Sequence, residues 1–597
     1  MQYKAPIRDM QFVMHELLNF SEHYKNIPIY AENDRDILNN YIEAAADFAE
    51  SELAPLNRTG DEEGCTFDNG VVTTPAGFKE AYKQYCELGF PSLTADEEFG
   101  GQQLPLSLAS VVNEIMGTAN WSFSMYPGLS EGAIRTIEHH GSDEQKQKYL
   151  LKLVSGEWTG TMCLTEAHAG SDLGITRTKA EPNDDGSYAI TGQKIFISAG
   201  EHDMADNIVH IVLARLPNAP QGTKGISLFI VPKFNINDDG SIGERNSVFC
   251  GSIEHKMGIK ASATCVMNFD KAKGYLIGPE NKGLNCMFTF MNTARIGTAI
   301  QGLTAAELAF QGGLSYAKDR LAMRALSGAK FPDLPADPII VHPAVRNMVL
   351  TCKAFAEGGR ALVYYLSQFA DVVAKGDGEA AEYADQMLSL LTPIAKAFLT
   401  ETGYEAANHG VQVYGGHGFI REWGMEQNVR DTRIACLYEG TTEIQALDLL
   451  GRKVLGSQGK LLRNFTKVIH KFCQEHADND EMGQFIRPLQ RLNKEWGDIT
   501  TRVGMEAMQN HDVVGGAAVD YMYYSGYVTL AYLWARMAAV AQAALQTDTT
   551  ERAFYQAKIK TAQFYFAKLL PRTLTYAKRI ETGLEPYMAM DVEEFQF

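Results

Sequence analysis

YAITGQKIFIS (188–198) is the longest of several short β-rich segments in the middle of the chain. Gly, Asn, Asp and Pro separate these segments from one another, which is typical of strands joined by turns. The other segments are GTMCLT (160–165), NIVHIVLAR (207–215), GISLFIVP (225–232) and ATCVMNF (263–269). Strands of this length and spacing predict a small antiparallel barrel or sandwich over residues 158–285.

Helical sequence flanks this β region on both sides. ILNNYIEAAADFAESEL (37–53) places apolar residues at helical spacing, and Ser142 followed by Gln145 forms a capping-box pattern. The chain is predicted to be helical again after residue 286, except in SGAKFPDLPADPIIVHP (327–343), whose four prolines predict a loop.

The predicted fold class is therefore α+β and multidomain. It has four parts, which are an N-terminal helical domain (1–157), a middle antiparallel β domain (158–285), a helical bundle (286–455) and an extra C-terminal helical extension (456–597). A chain of 597 residues is long enough for about four such parts.

Charge, cysteine content and hydropathy restrict the partners and the cellular compartment that we expect for this chain. With 54 Lys and Arg against 73 Asp and Glu, the net charge is −19, which disfavours nucleic acid as a partner. Nine scattered cysteines without a CxxC pair indicate free thiols in a reducing compartment. The N-terminus has no apolar signal region, so we expect a cytoplasmic protein or a mature organelle protein. The uncharged stretch 521–535 is too short to span a bilayer and predicts a buried core helix.

The common nucleotide, metal and hydrolase signatures do not occur. The chain lacks a GxGxxG motif after a strand, a GxxxxGK[ST] loop and a G-x-S-x-G elbow. No pair of histidines has metal-binding spacing with a third ligand, so no metal site is predicted. Dinucleotide, P-loop, zinc and serine-hydrolase functions thus lose their best support.

Two strings in the β region could contact a cofactor. CLTEAHAGSDLGITRTKA (163–180) places hydroxyls and loop N–H groups after a strand, where they could hold a polar ring edge or a phosphate. A capped turn is an equal alternative. Phe196 and Ser198 lie on one face of the next strand, because side chains alternate, and could pack on a planar cofactor. Taken alone, a core aromatic is the better interpretation of Phe196.

A third string, LYEGTTEIQALDLL (437–450), contains the best candidate for a catalytic base. Thr442 and Gln445 form a capping-box pattern, so Glu439 is predicted to lie in a loop at the entry of a helix. A carboxylate desolvated at such a junction has a raised pKa, as a general base needs. A merely structural glutamate is the alternative.

Together these three strings, in this order, resemble the acyl-CoA dehydrogenase family. TEAHAGSD, GQKIFIS and LYEGTTEIQ are each similar to a family signature, and the resemblance covers about 35–455. The C-terminal extension is similar to that of a longer bacterial subgroup, whose substrates include 3-methylmercaptopropionyl-CoA and medium- or long-chain fatty acyl-CoAs.

The resemblance implies an FAD site with defined residues. Phe196 stands where many members have Trp against the flavin, and Ser198 stands where many have Thr. The cofactor residues that it implies are Thr165, Ser171, Phe196, Ser198, Arg320, Gln412, Gly415, Gly416, Thr441 and Glu443. Among these, Arg320 and the segment 412–416 correspond to positions that contact the FAD of a neighbouring subunit, which implies at least a homodimer.

The resemblance also implies the reaction. Glu439 matches the family base, and Ala294 occupies the alternative base position, where it cannot take a proton. Ser171, Arg295 and Gly440 match substrate positions. The family removes the α-proton with the base while hydride leaves the β-carbon for flavin N5, and electrons pass to an electron-transfer flavoprotein. An acyl-CoA oxidase using O₂, or a DNA-associated flavoprotein of the same fold, remains the alternative.

Overall fold

The computed structural model describes residues 3–596. These residues form two compact units. The first, called the β unit, comprises residues 3–5 and 40–297. The second, called the helical unit, comprises residues 6–39 and 298–596. The predicted boundaries at 157, 285 and 455 remain predictions, although the strands of the main sheet lie between Trp158 and Ile277.

Helices dominate the chain outside the main sheet. In chain order they are α1 (Ile7–Gln11), α2 (Phe20–Lys25), α3 (Arg35–Phe48), α4 (Ala54–Glu63), α5 (Phe78–Glu87), α6 (Leu106–Ala119), α7 (Trp121–His140), α8 (Asp143–Val154), α9 (Gly283–Asp319), α10 (Pro343–Lys375), α11 (Gly378–Tyr414), α12 (Met425–Arg433), α13 (Thr442–Leu447), α14 (Lys460–Glu475), α15 (Gly483–Ala507), α16 (Asp512–Leu545), α17 (Arg552–Phe564), α18 (Arg572–Thr582) and α19 (Glu585–Met588). The predicted capping box of Ser142 and Gln145 is present at the start of α8.

The strands are β1 (Thr66–Asp68), β2 (Val71–Thr73), β3 (Trp158–Cys163), β4 (Lys179–Pro182), β5 (Tyr188–Ser198), β6 (Asn207–Ala214), β7 (Ser227–Pro232), β8 (Phe234–Ile236), β9 (Ile242–Arg245), β10 (Val248–Ile253) and β11 (Thr264–Ile277). The main sheet has seven strands in the order β3-β6-β7-β11-β5-β4, with β10 paired to β11.

The prediction of a purely antiparallel middle domain is wrong, because β3 and β6 pair in parallel. Parallel neighbours need a long crossover connection. Here residues 164–206 supply it and carry β4 and β5 with them. Strands β6 and β7 are buried along their whole length, which explains their continuous apolar sequence.

A small hairpin of β1 and β2 interrupts the N-terminal helices and was not predicted. Its turn is Asn69-Gly70, and both residues have positive φ, at 49° and 86°. Asn-Gly is the preferred pair for such a two-residue turn, so the signal was present in the sequence.

The apolar stretch 521–535 lies inside α16 and is buried, as predicted, except for the half-buried Tyr523. Among the described residues, α16 is the one helix long and apolar enough to cross a membrane, and 61% of its most apolar window is buried within the protein. Trp534 and Tyr527 belong to this core and are 0% and 1% exposed. The four-proline segment is mainly loop, as predicted, and is organised by Asp337, whose carboxylate accepts the N–H groups of Ala325 and Phe331 at 3.0 and 2.8 Å.

The helical unit also contains a buried cluster of ionised side chains, which we call the ion cluster. Its members are three acids and three bases, namely Asp9, Glu307, Glu357, Lys353, Arg360 and Lys558. Arg360 bonds Asp9 and also Glu307, the latter at 2.8 Å, and Lys558 bonds Asp9 and also Glu357, the latter at 2.9 Å. The cluster therefore links the N-terminal α1 and the C-terminal α17 to α10.

Burial and pairing act in opposite directions on Asp9. Burial alone would raise the pKa of its carboxyl group, but Lys558 and Arg360 hold that pKa well below its usual range. The balance of three positive and three negative charges allows such a cluster to be buried.

Candidate active site

The loop after β3 is held by a buried ion pair. The Glu166 carboxylate lies 2.9 Å from the Lys194 ammonium group of β5, and these side chains are 4% and 0% exposed. The same carboxylate accepts the N–H groups of Arg177 and Thr178 at 2.8 and 3.0 Å. Glu166 therefore ties the start of the loop 166–178 to its end; this loop contains Ser171 and directly follows Thr165.

Sequence reasoning missed this pair. Its signal is the charged Lys194 at a strand position whose side chain faces the core. Burial disfavours the charge on both partners and lowers the pKa of Lys194. Burial also acts to raise the pKa of Glu166, but Lys194 and the hydrogen bonds outweigh it and lower that pKa to about 2.

This shift predicts a pH dependence of stability. A carboxyl group whose folded pKa is depressed stabilises the fold above its unfolded pKa of about 4.3, and this contribution is lost as the pH falls towards the folded value of about 2. We expect Glu166→Gln to lower the free energy of unfolding at neutral pH, and the difference from wild type to shrink on acidification. Chemical unfolding at a series of pH values measures this. A difference that stays constant down to the lowest pH would contradict the assignment.

Phe196 lies at a bulge of β5 and points outward. The register against β11 shifts between Cys265 and Met267, and Phe196 takes the left-handed conformation with φ 59°. Its side chain is 59% exposed, so the interpretation as a core aromatic is wrong. The next residue, Ile197, is buried, and Ser198 after it is half-buried.

The structure brings Thr165 to this bulge. The N–H of Ile195 donates to the carbonyl oxygen of Thr165 at 2.9 Å, so Thr165 lies beside the strand that carries Phe196. Thr165 is half-buried. The β unit therefore carries a threonine, an exposed aromatic ring and a serine within one bulged stretch of backbone, and these residue types suit the edge and face of a planar ring system.

The β unit also contains Ser171 and Arg295, the two residues that are predicted to lie near the CoA part of the substrate. Ser171 is exposed in the loop that Glu166 holds. Arg295 is half-buried on α9, and its Nε is buried without a hydrogen-bond partner among the described residues. A guanidinium N–H left in this state is available for an anionic or carbonyl ligand.

Glu439 occupies a strained turn in the helical unit. It is half-buried and has a φ of 55°, and the following Gly440 has a φ of 87°. Left-handed backbone is unfavourable for a residue with a Cβ atom, so neighbouring groups must stabilise it. The turn ends at α13, which begins at Thr442. Glu439 therefore lies at a helix entry, as predicted.

The cap of this helix differs from the predicted one. Thr441, not Thr442, is the N-cap and accepts the N–H of Ile444 at 3.3 Å. Gln445 does not complete a capping box, because its amide instead donates to the carbonyl oxygen of Glu439 at 2.8 Å. Thr442 is buried and donates to Glu401. The left-handed pair 439–440 explains the shift, since it leaves Thr441 as the residue at the helix entry.

Five residues that are predicted to contact FAD are exposed on the helical unit. Arg320 lies just after α9, Gln412 lies near the end of α11, and both are exposed. Gly415 and Gly416 are exposed too, and a Cβ atom added at either would meet no heavy atom within 4 Å. Glu443 is exposed on α13. The space at these glycines fits a ligand approaching from outside this chain.

Comparisons with known proteins agree along almost the whole sequence. Four family descriptions match, namely "Acyl-CoA dehydrogenase, N-terminal domain" at 38–157, "Acyl-CoA dehydrogenase, middle domain" at 161–272, "Acyl-CoA dehydrogenase, C-terminal domain" at 281–455 and "Acetyl-CoA dehydrogenase C-terminal like" at 465–591.

Individual relatives match over most of their length. The 3-methylmercaptopropionyl-CoA dehydrogenase of Ruegeria pomeroyi is 41% identical over 98% of this chain and 99% of its own. The broad-specificity linear acyl-CoA dehydrogenase FadE5 of Mycobacterium tuberculosis is 34% identical over 99% of this chain and 100% of its own. An acyl-CoA dehydrogenase of Bacillus anthracis, solved in complex with FAD, matches with a TM-score of 0.74 at 22% identity, over 92% of this chain and 88% of its own.

These matches confirm the fold class and the family inferred from the three strings. The chain belongs to the acyl-CoA dehydrogenase family, in the longer form that carries a C-terminal helical extension, and is an oxidoreductase.

Proposed function

We propose that the protein converts an acyl-CoA thioester into the trans-2-enoyl-CoA, with FAD as cofactor and Glu439 as the base. The observation that carries this proposal is the position of Glu439, a half-buried carboxylate in a left-handed turn at the entry of α13. Membership of the acyl-CoA dehydrogenase family supports it, because the turn lies within the matched C-terminal domain.

The residues of the chain then have separate tasks. The Glu439 carboxylate accepts one proton from the α-carbon of the thioester. Negative charge that develops on the thioester oxygen needs preorganised donors, and the N–H of Glu439 is proposed as one of them. When bound, FAD supplies the acceptor for the hydride that leaves the β-carbon. Loss of one proton and one hydride balances the formation of the carbon–carbon double bond.

The residues on the surface of the β unit fit a flavin. Phe196 offers a largely exposed ring for stacking, and Thr165 and Ser198 offer hydroxyls beside it. Thr441 and Glu443 are proposed to contact FAD from the helical unit. Ser171 and Arg295 are proposed to contact the CoA part of the substrate, with Ser171 also near FAD, and Gly440 to contact the acyl group.

Arg320, Gln412, Gly415 and Gly416 are proposed to contact the FAD of a second copy. Their exposure supports this role, since side chains that complete a site in another chain must be reachable from outside their own. A homodimer is therefore the proposed assembly. Sedimentation of the FAD-loaded protein should give twice the mass of one chain, and a single-chain mass would contradict the proposal.

The names of the relatives define the substrates to test. The relative at 41% identity supports 3-methylmercaptopropionyl-CoA, and the relative at 34% supports linear acyl-CoAs. We expect one of these classes to give the highest kcat/KM in a panel of acyl-CoAs of graded length that includes 3-methylmercaptopropionyl-CoA. Absence of enoyl-CoA product across the whole panel would contradict the function.

An electron-transfer flavoprotein is the proposed acceptor of the electrons. With this partner present, turnover should be fast, and air alone should support only slow turnover. Fast turnover in air with one equivalent of hydrogen peroxide per product would instead identify an acyl-CoA oxidase.

A further inference from the structure

The turn that contains Glu439 is held by side chains from three helices. Residues 438, 439, 440 and 442 are each bonded by one of these side chains. The Tyr438 hydroxyl bonds Gln301 of α9, the Thr442 hydroxyl bonds Glu401 of α11 at 2.6 Å, and two carbonyl groups between them are bonded by Gln445 and Lys396.

Lys396 is the unusual member of this group. It lies in the apolar stretch PIAKAFL of α11, its side chain is fully buried, and its ammonium group donates to the carbonyl oxygen of Gly440 at 2.5 Å. A buried ammonium group is costly to desolvate, and a hydrogen bond from a charged donor is stronger than one from a neutral donor. A lysine at this place therefore ties the turn to α11 more firmly than an amide or hydroxyl would.

Gln445 acts on the preceding residue. Its Nε2 donates to the carbonyl oxygen of Glu439 at 2.8 Å, while its Oε1 is buried and has no hydrogen-bond partner among the described residues. A Cβ atom at Gly440 would lie 2.6 Å from this Nε2, so the glycine makes room for the contact. Lys396 and Gln445 thus bond two consecutive carbonyl groups, those of Gly440 and Glu439.

We propose that Lys396 and Gln445 are positioning residues that fix the left-handed conformation of Glu439 and Gly440 and so aim the Glu439 carboxylate at the α-carbon. This inference rests on the proposed function, in which Glu439 is the base. A misplacement of about 1 Å in a reacting group costs about 10²-fold in rate, so loss of either bond should act on kcat.

The test uses Lys396→Met and Gln445→Met, which keep chain length but remove the donors, in the FAD-loaded full-length protein. We expect each variant to keep its flavin content and to hold KM within about threefold, while kcat falls by about 10- to 100-fold. The rate of α-proton exchange of the substrate with D₂O should fall by the same factor. A role confined to folding would instead lower flavin content and thermal stability without changing kcat per bound flavin.

Lys353→Met is the matched control, because it removes another largely buried lysine of the helical unit whose ammonium group bonds Glu357 in the ion cluster. Its kcat per bound flavin should equal that of wild type.

Glu439→Gln separates the two proposals. If Glu439→Gln is inactive while both Lys396→Met and Gln445→Met keep the wild-type kcat, or both lose flavin, the positioning role is wrong and the proposed function stands. If Glu439→Gln keeps near-normal activity, the proposed function itself is wrong.

Discussion

Replacing Glu439 by glutamine is expected to lower kcat by at least about 10²–10⁴-fold, or about 2.7–5.5 kcal/mol in activation free energy. Glutamine has nearly the shape of glutamate, and the bond from Gln445 is made to the backbone carbonyl of residue 439, so the turn should keep its conformation. The amide cannot accept the α-proton. Anaerobic stopped-flow measurement of flavin reduction by a saturating acyl-CoA separates this chemical step from later ones.

Glu475→Gln is the control for this variant. Glu475 is an exposed glutamate at the end of α14, and its replacement removes the same charge without touching the turn. Flavin reduction in this control should match wild type. Near-normal flavin reduction in Glu439→Gln would show that another group takes the proton.

Replacing Arg360 by methionine is expected to destabilise the helical unit. The free energy of unfolding should fall by about 3–5 kcal/mol, because the substitution leaves the buried carboxylates of Asp9 and Glu307 without their shared guanidinium partner. The ion cluster would then hold three negative and two positive charges. Denaturant unfolding followed by tryptophan fluorescence measures the loss, and the buried Trp534 of α16 reports on the same unit.

A double variant tests whether charge balance is the cause. Arg360→Met combined with Glu307→Gln restores two acids and two bases, with Asp9 still bonded by Lys558. It should recover part of the stability lost in the single variant. If the single variant unfolds like wild type, or the double variant is less stable than the single one, the account of the ion cluster is wrong.

Local sequence patterns predicted the elements better than their pairing. The segment 207–215 contains the fully buried strand β6, and the stretch 521–535 lies in the buried middle of α16. The parallel pairing of β3 with β6 was not predicted, since the partner of a strand depends on contacts between distant parts of the chain. The hairpin at Asn69-Gly70 was missed although its turn signal is local.

The site shows the same limit. Glu439 could be placed at a helix entry from Thr442, Gln445 and the apolar residues that follow, although the cap proved to be Thr441. The ring of Phe196 is exposed because of a bulge in β5, and no sequence pattern predicts that bulge. Lys396 and Lys194 are single charged residues in apolar surroundings, and their partners are the carbonyl of Gly440 and the carboxylate of Glu166. Such partners are known only once the fold brings the segments together.

Exchange of substrate α-protons with D₂O, measured by mass spectrometry on the acyl-CoA in wild type and in Glu439→Gln, shows whether Glu439 is the base. Exchange reports the transfer of a proton to the base and does not depend on the final electron acceptor. We predict steady incorporation of deuterium at the α-carbon with wild type and none above the uncatalysed rate with Glu439→Gln. Equal exchange in the two proteins would contradict the assignment of Glu439 as the base.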